Sequence, residues 1–158
     1  MARLVICLMY SDKKLSEEVK KALEEKFGKI EDFVSYEFDV TKYYEEEMGP
    51  RLKKDILVFG RGIKEAQIPE IKKYTNLLED SYRTDNNRRV NIDPGYLTEK
   101  ELVLASGKKS PYKSDLGEGV YGHLTLKFEN GKCIATHRTY PDFKKEEVQK
   151  FFLKNIKK

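Results

Sequence analysis

Tryptophan is absent from this chain, and cysteine and proline are scarce, at two and five residues. Cys7 lies in an apolar run and Cys133 beside a turn, with no Cys-x-x-Cys and no Cys/His spacing. That excludes a zinc ribbon and a disulfide framework and points to a reduced, cytoplasmic protein. The opening apolar stretch, Leu4 to Met9, spans only six residues. It is too short for a signal core or a membrane span and reads as the first strand of a fold. Phosphate-loop chemistry is missing as well. Residues 117–122, GEGVYG, spell GxGxxG but precede a strand instead of opening a helix, and Gly60-Arg61-Gly62 lacks a third glycine. With no GKS or GKT and no base-reading NKxD segment, a Walker-type nucleotide site is excluded; a GxSxG elbow, an HExxH pair and a cysteine with a clear base are lacking too.

Charge of one sign is also in short supply. Charged residues make up 37% of the chain, yet the formal charge is only +4. The pI near 8.8 stays short of the roughly 9 that marks a nucleic-acid footprint. The cationic excess gathers at Lys144, Lys145, Lys150, Lys154, Lys157 and Lys158 against Glu146 and Glu147, a pattern that reads as a solvated helix face. The abundance of Lys and Glu fits a thermophile's composition. A chain of 158 residues makes one domain, residues 1–158, that buries roughly 68–70% of its unfolded surface and needs no staple.

What is present alternates between two periods. LVICLM is a strand buried on both faces. Leu15, Val19, Ala22, Leu23 and Phe27 recur at helical spacing, between the caps Ser11-Asp12 and the stop Gly28. VSYEFDV places Val34, Tyr36, Phe38 and Val40 on one strand face, and DILVFG is a further strand. Pro69 opens a helix whose inner stripe is Ile71, Tyr74 and Leu78, and VNIDPGYL and ELVLAS follow as strands. An Asn130-Gly131 hairpin pairs Phe128 with Cys133 and, further out, Leu126 with Ala135, His123 with Arg138 and Tyr121 with Tyr140. Val148, Phe151, Phe152 and Ile156 give a closing helix. The first six elements match a ferredoxin-like split βαβ. The expected fold is one α+β domain with a mixed or largely antiparallel sheet, helices packed on it, and a C-terminal hairpin and helix.

Three stretches hold candidate chemistry. Asp93-Pro94-Gly95-Tyr96 fits a type II turn, which by itself explains Asp93. Period-two alternation, however, also sets Arg89, Asn91 and Asp93 on one face, a row of cation, amide and carboxylate. On the following reading of KYTNLLED, Lys72, Thr75, Asn76 and Glu79 share one helix flank, either as a surface network or as the edge of a crevice. The hairpin carries Tyr121, His123, Arg138 and Tyr140 on its wet face, with Asp142 after Pro141; His123 beside Arg138 is better placed to accept a hydrogen bond than to carry charge. Lys108 and Lys109 follow VLAS, where they cover an anionic ligand or serve as plain loop lysines.

The ordered blocks YYEEEMG, TNLLE, VNIDPGYL, LVLASGK and TYPDF resemble the prokaryotic domain-of-unknown-function family 4416 across almost the whole chain. The resemblance brings no activity with it. It implies that Tyr44, Glu47, Gly49, Thr75, Asn76, Glu79, Asn91, Asp93, Gly95, Tyr96, Lys108, Tyr140 and Asp142 belong together. Tyr112-Lys113 stands where the family pattern has a His-Arg pair, which leaves no place for a histidine of that loop in any mechanism.

The leading expectation is a small-ligand-binding domain or enzyme for a polar, anionic small molecule, phosphorylated compounds among the candidates. Lys108, Arg89 and Arg138 would hold the anion. Asp93, Glu79 and Asp142 would act as acid, base or ligands of a divalent cation. Lys72, Thr75, Asn76, Asn91, Tyr96, His123 and Tyr140 would line the site. Two alternatives are an RNA-binding module, disfavoured because LVICLM lacks exposed aromatics and no RGFGFV-like segment exists, and a structural or interaction subunit. The residues fix neither a cofactor, a metal nor an oligomeric state.

Overall fold

In the computed structural model, which describes residues 1–157, the opening run forms β1 (Ala2–Tyr10) and lies at the centre of the sheet. Lys158, the last of the C-terminal lysine run, lies outside the described residues. The chain continues through α1 (Lys13–Phe27), β2 (Ile30–Glu37), α2 (Glu45–Met48), β3 (Lys53–Ile63), α3 (Ile68–Ser81) and β4 (Val90–Leu97). Then come β5 (Glu101–Ser106), β6 (Ser114–Gly117), β7 (Val120–Glu129), β8 (Lys132–Ile134) and α4 (Glu146–Ile156). Short 3₁₀ turns at Glu65–Gln67 and Pro141–Lys144 precede α3 and α4.

The order β2-β3-β1-β4, antiparallel throughout, is the ferredoxin-like core, and β5, β7 and β6 extend the same sheet beyond β4, with β8 on β7. Asp12 caps α1 by accepting from the backbone of Lys14 and Leu15, and Gly28, at φ 95°, ends it. The pleat sorts β1 into two cores. Leu4, Ile6, Leu8 and Tyr10 pack with Val19, Leu23, Ile68 and Ile71 under α1 and α3. Val5 and Cys7 face the other way, toward Phe143, Val148, Phe151 and Phe152 around α4. Helices therefore cover both faces, and β1 is apolar from Leu4 to Tyr10 because neither of its faces meets water there.

Several local expectations give way. VSYEFDV is strand only to Glu37; Phe38 N–H then donates to the Leu52 carbonyl at 2.8 Å as the chain leaves the sheet. The Asn130-Gly131 hairpin keeps the expected register at Phe128–Cys133 and Lys127–Ile134, but β8 stops there. The pairs Leu126–Ala135, His123–Arg138 and Tyr121–Tyr140 do not form, because Thr136 and Thr139 close a separate turn, Thr136 N–H donating to Thr139 Oγ1 at 2.9 Å. Nor is Asp93-Pro94-Gly95-Tyr96 a turn. All four residues are inside β4, and Gly95 is not among the positive-φ glycines. The glycine has another reason: a Cβ there would collide with the Val103 carbonyl oxygen and lie 2.8 Å from Leu104 Cδ2, so β5 could not approach.

Gly95→Ala is accordingly expected to destabilise the fold by about 1–3 kcal/mol, the cost of overpacking a closed contact. Urea denaturation measures it, and an unchanged midpoint would mean that β4 and β5 have room to part.

Candidate functional site

The site is built where β4 and β5 separate. β1 pairs with β4 along its whole length, from Tyr10–Val90 to Arg3–Leu97, but β5 meets β4 only between Gly95–Leu104 and Leu97–Leu102. Alternate N–H groups of a strand face the same neighbour, so Ile92, Pro94 and Tyr96 share one side. Pro94 has no N–H, and Ile92 gives its own to Glu79 Oε2 at 2.6 Å. That stretch of β4 has no donor left for β5. β5 follows β7 instead, with Ala105 opposite Gly122 and Ser106 opposite Tyr121.

The gap is a cleft of about 790 Å³, within the range of small-molecule sites. Asn91 and Asp93 form one wall. Leu104 to Lys108, with His123 and Lys113, form the other. Lys72 and Asn76 reach it from α3, and Phe38, Thr41, Tyr44, Lys54 and the Tyr140–Asp142 turn complete the rim.

The β4 wall is one continuous polar chain. Glu47 of α2 receives the Arg88 guanidinium through Nε and Nη2, at 3.0–3.2 Å, and the Arg88 backbone N–H at 2.8 Å. These hydrogen bonds hold the Glu47 carboxyl below its usual range. Arg88 Nη1 donates to Asn91 Oδ1 at 2.7 Å, Asn91 Nδ2 donates to Asp93 Oδ2 at 2.8 Å, and Lys72 Nζ lies 3.7 Å from Asp93 Oδ1. The chain fixes the Asn91 amide and aims Asp93 across the cleft.

Behind this wall, burial pushes Glu79 up to about 7, and the neighbouring Asp93 charge adds to that while the Ile92 N–H opposes it. Asp142, by contrast, is held through one oxygen: Tyr36 Oη donates to its Oδ2 at 2.6 Å and Lys54 Nζ donates to the same atom at 2.8 Å. Burial pulls the Lys54 ammonium down, but the anionic groups around it, Asp142 in contact and Asp93 nearby, more than offset this and hold it above its usual range. Lys54 also lies over the Phe38 and Phe143 rings, at 5.4 and 4.9 Å.

On the opposite wall a bulge decides what faces the ligand space. Leu102 pairs with Leu126 but Val103 pairs with Leu124, so Thr125 is an extra residue in β7. It transfers His123 from the face that simple alternation assigns to it onto the face of Leu126 and Leu104. There the ring is nearly enclosed. Its Nε2 lies 2.9 Å from the Arg138 carbonyl, Tyr140 stacks on it at 4.6 Å, and Tyr112 meets it edge-on at 5.9 Å. A carbonyl only accepts, so Nε2 carries the proton. Burial, reinforced by the charges of Lys113 and Arg138, keeps the imidazole below its ordinary 6.5 and neutral.

Of the residues singled out in the sequence, Tyr44, Lys72, Asn76, Asn91, Asp93, Lys108, His123, Tyr140 and Asp142 meet at this cleft. Glu79 supports it from behind. Four others are elsewhere. Thr75 is fully buried, its Oγ1 donating to the Lys72 carbonyl at 3.0 Å. Tyr96 packs in the core under α1 and α3. Arg89 pairs with Asp12 at 2.9 Å at the start of α1. Arg138 lays its guanidinium 3.7 Å above the Tyr112 ring and offers His123 only a carbonyl. Lys54 and Lys113 belong to the cleft without having been marked. Lys54 had a signal: it shares its alternation face with Ile56 and Val58, an inward position for a lysine. Among the described residues no three His, Cys, Asp or Glu side chains group so as to hold a metal ion, and no helix is long and apolar enough to cross a membrane.

Glu79 makes stability depend on pH. Its folded value of about 7 exceeds the ordinary 4.5, so its contribution is fully present below about pH 4.5 and is lost as the pH rises through about 7. The size of the shift corresponds to roughly 3 kcal/mol. Glu79→Gln keeps an amide oxygen for Ile92 and cannot ionise, so it should flatten this slope. Denaturation curves of both proteins across the window would run parallel if another group were responsible.

Compared with known proteins, the whole chain, residues 1–158, matches the family model described as Domain of unknown function (DUF4416). No curated protein and no solved structure matches it.

Proposed function

The chain belongs to the DUF4416 family, whose description names no activity, and from the cleft we propose a domain that binds, or an enzyme that acts on, a polar anionic small molecule, phosphorylated compounds among them. The observation that carries this reading is the convergence of Lys54, Lys72, Lys108 and Lys113 on one cavity against two aspartates, Asp93 and Asp142. Lys54 is matched by Asp142, and Lys72 stands near Asp93. Among the described residues Lys113 Nζ donates only to the Ser106 hydroxyl at 3.1 Å and the Lys108 carbonyl at 3.2 Å, neutral oxygens. Among the described residues neither Lys108 nor Lys113 has a carboxylate partner, so one wall carries surplus positive charge beside the cleft.

Asp93 is the group best placed for acid–base work, because it lines the cleft with its side chain 38% exposed. Asp142 reads as a positioning residue that holds Lys54 and Tyr36. An RNA-binding module of the stacking type finds less support, since it needs a bare sheet face with aromatics and here helices cover both. The proposed setting is cytoplasmic, in keeping with the free cysteines, of which Cys7 is buried with its thiol pushed up to about 12 by burial.

Titration calorimetry with pyrophosphate at low salt tests the reading. The double variant Lys108→Ala, Lys113→Ala should lose about tenfold or more in affinity, as expected for charge-assisted hydrogen bonds. Lys150→Ala, on the exposed side of α4, should bind like wild type. Equal affinities in both variants, or no saturable binding to wild type, would remove the proposal.

A further inference from the structure

His123 is 4% exposed. Among the described residues, its Nδ1 is the fully buried side-chain atom of a cleft-lining residue that has no hydrogen-bond partner. The ring cannot turn to find one, being tied to the Arg138 carbonyl at 2.9 Å and stacked on Tyr140 with 26° between the planes. With the proton on Nε2, Nδ1 holds a lone pair and can only accept. A buried acceptor left unpaired is costly, and such atoms in folded proteins call for an explanation.

The carboxylate acceptors of the cleft already face cations, Asp142 in contact with Lys54 and Asp93 near Lys72. The lysines are donors only. Asp142 Oδ2 accepts from both Tyr36 and Lys54, and Asp93 is engaged by Asn91 and approached by Lys72. An unprotonated oxyanion drawn in by Lys108 and Lys113 would bring its own lone pairs against Nδ1, and that contact repels unless a hydrogen lies between.

We propose that the cleft selects an anion that carries an O–H or N–H beside its charge, with His123 Nδ1 accepting that hydrogen, so that a protonated oxyanion such as hydrogen phosphate is taken in preference to one with no proton, such as sulfate. This rests on the reading of the cleft as an anion site and narrows its ligand class. Specificity here is a penalty on the wrong anion more than a gain for the right one.

Three titrants separate the ideas at about pH 8, where phosphate monoesters have lost their last acidic proton. Hydrogen phosphate and sulfate are then dianions of similar size that differ by one O–H, and methyl phosphate is a phosphorus dianion without it. Calorimetry on wild type should show hydrogen phosphate bound about tenfold or more tighter than both others, the worth of one hydrogen bond to a charged group. His123→Gln, which keeps an N–H near the position of Nε2 and loses the acceptor at Nδ1, should bring the three affinities together. His123→Asn, which restores an oxygen near the position of Nδ1, should recover part of the preference. His123→Phe keeps the ring for Tyr140 and serves if the Gln variant fails to fold. Equal binding of all three anions by wild type, methyl phosphate matching hydrogen phosphate, or a preference that survives in His123→Gln and His123→Phe would overturn the inference and leave the anion cleft standing. Failure of every titrant to saturate would remove both.

Discussion

One hydrogen bond, from the Ile92 N–H to the buried carboxyl of Glu79, decides whether this protein has a cleft or a closed sheet. With Pro94 unable to donate two residues later, it removes the last ladder donor that would have held β5 against this half of β4. An unpaired strand edge is ordinarily a liability. Here the edge is turned inward, its donor satisfied by a helix from the opposite face of the sheet, while the other edge of β4 stays in register with β1. Asn91 and Asp93 are the side chains that this arrangement presents to solvent space, and α3 supplies both the carboxyl that opens the gap and the Lys72 that reaches through it.

The second wall follows from the same economy of backbone bonds. The extra residue at Thr125 re-aims a single histidine, and Thr139 secures the displaced backbone, its Oγ1 donating to the Thr125 carbonyl at 2.7 Å. The turn that stops β8 at Ile134 also brings Arg138, Tyr140 and Asp142 back over the face that β7 has exposed. What is a hairpin at its tip becomes a brace at its base. Polar residues at ends of elements are thereby gathered from both halves of the chain around one hollow.

Much of the architecture was written in period and punctuation: the two-sided apolar β1, the cap at Asp12, the stop at Gly28 and the order of the first six elements are all legible because each rests on neighbours in sequence. The rest depends on partners far away. Asp93-Pro94-Gly95-Tyr96 satisfies every local rule for a turn, and only the close passage of β5 over Gly95 shows why the same residues are strand. A bulge leaves no mark on alternation, so His123 was assigned to the wrong face. Glu47 and Arg88 are separated by 41 residues, and nothing near either one announces their pairing. Arg89, beside it in the sequence, was the more visible candidate and serves α1 instead.

The central position of β1 has a kinetic consequence. Its partners β3 and β4 come from the segments 53–63 and 90–97, and β7 must join before the second wall exists. Chains dominated by such distant pairings pay loop-closure entropy before any contact rewards it and reach the native state slowly. No excised fragment contains both walls short of most of the polypeptide. Recognition in this molecule is therefore all-or-none with respect to assembly: a nascent or partly unfolded chain offers its lysines to solvent but no pocket to a ligand.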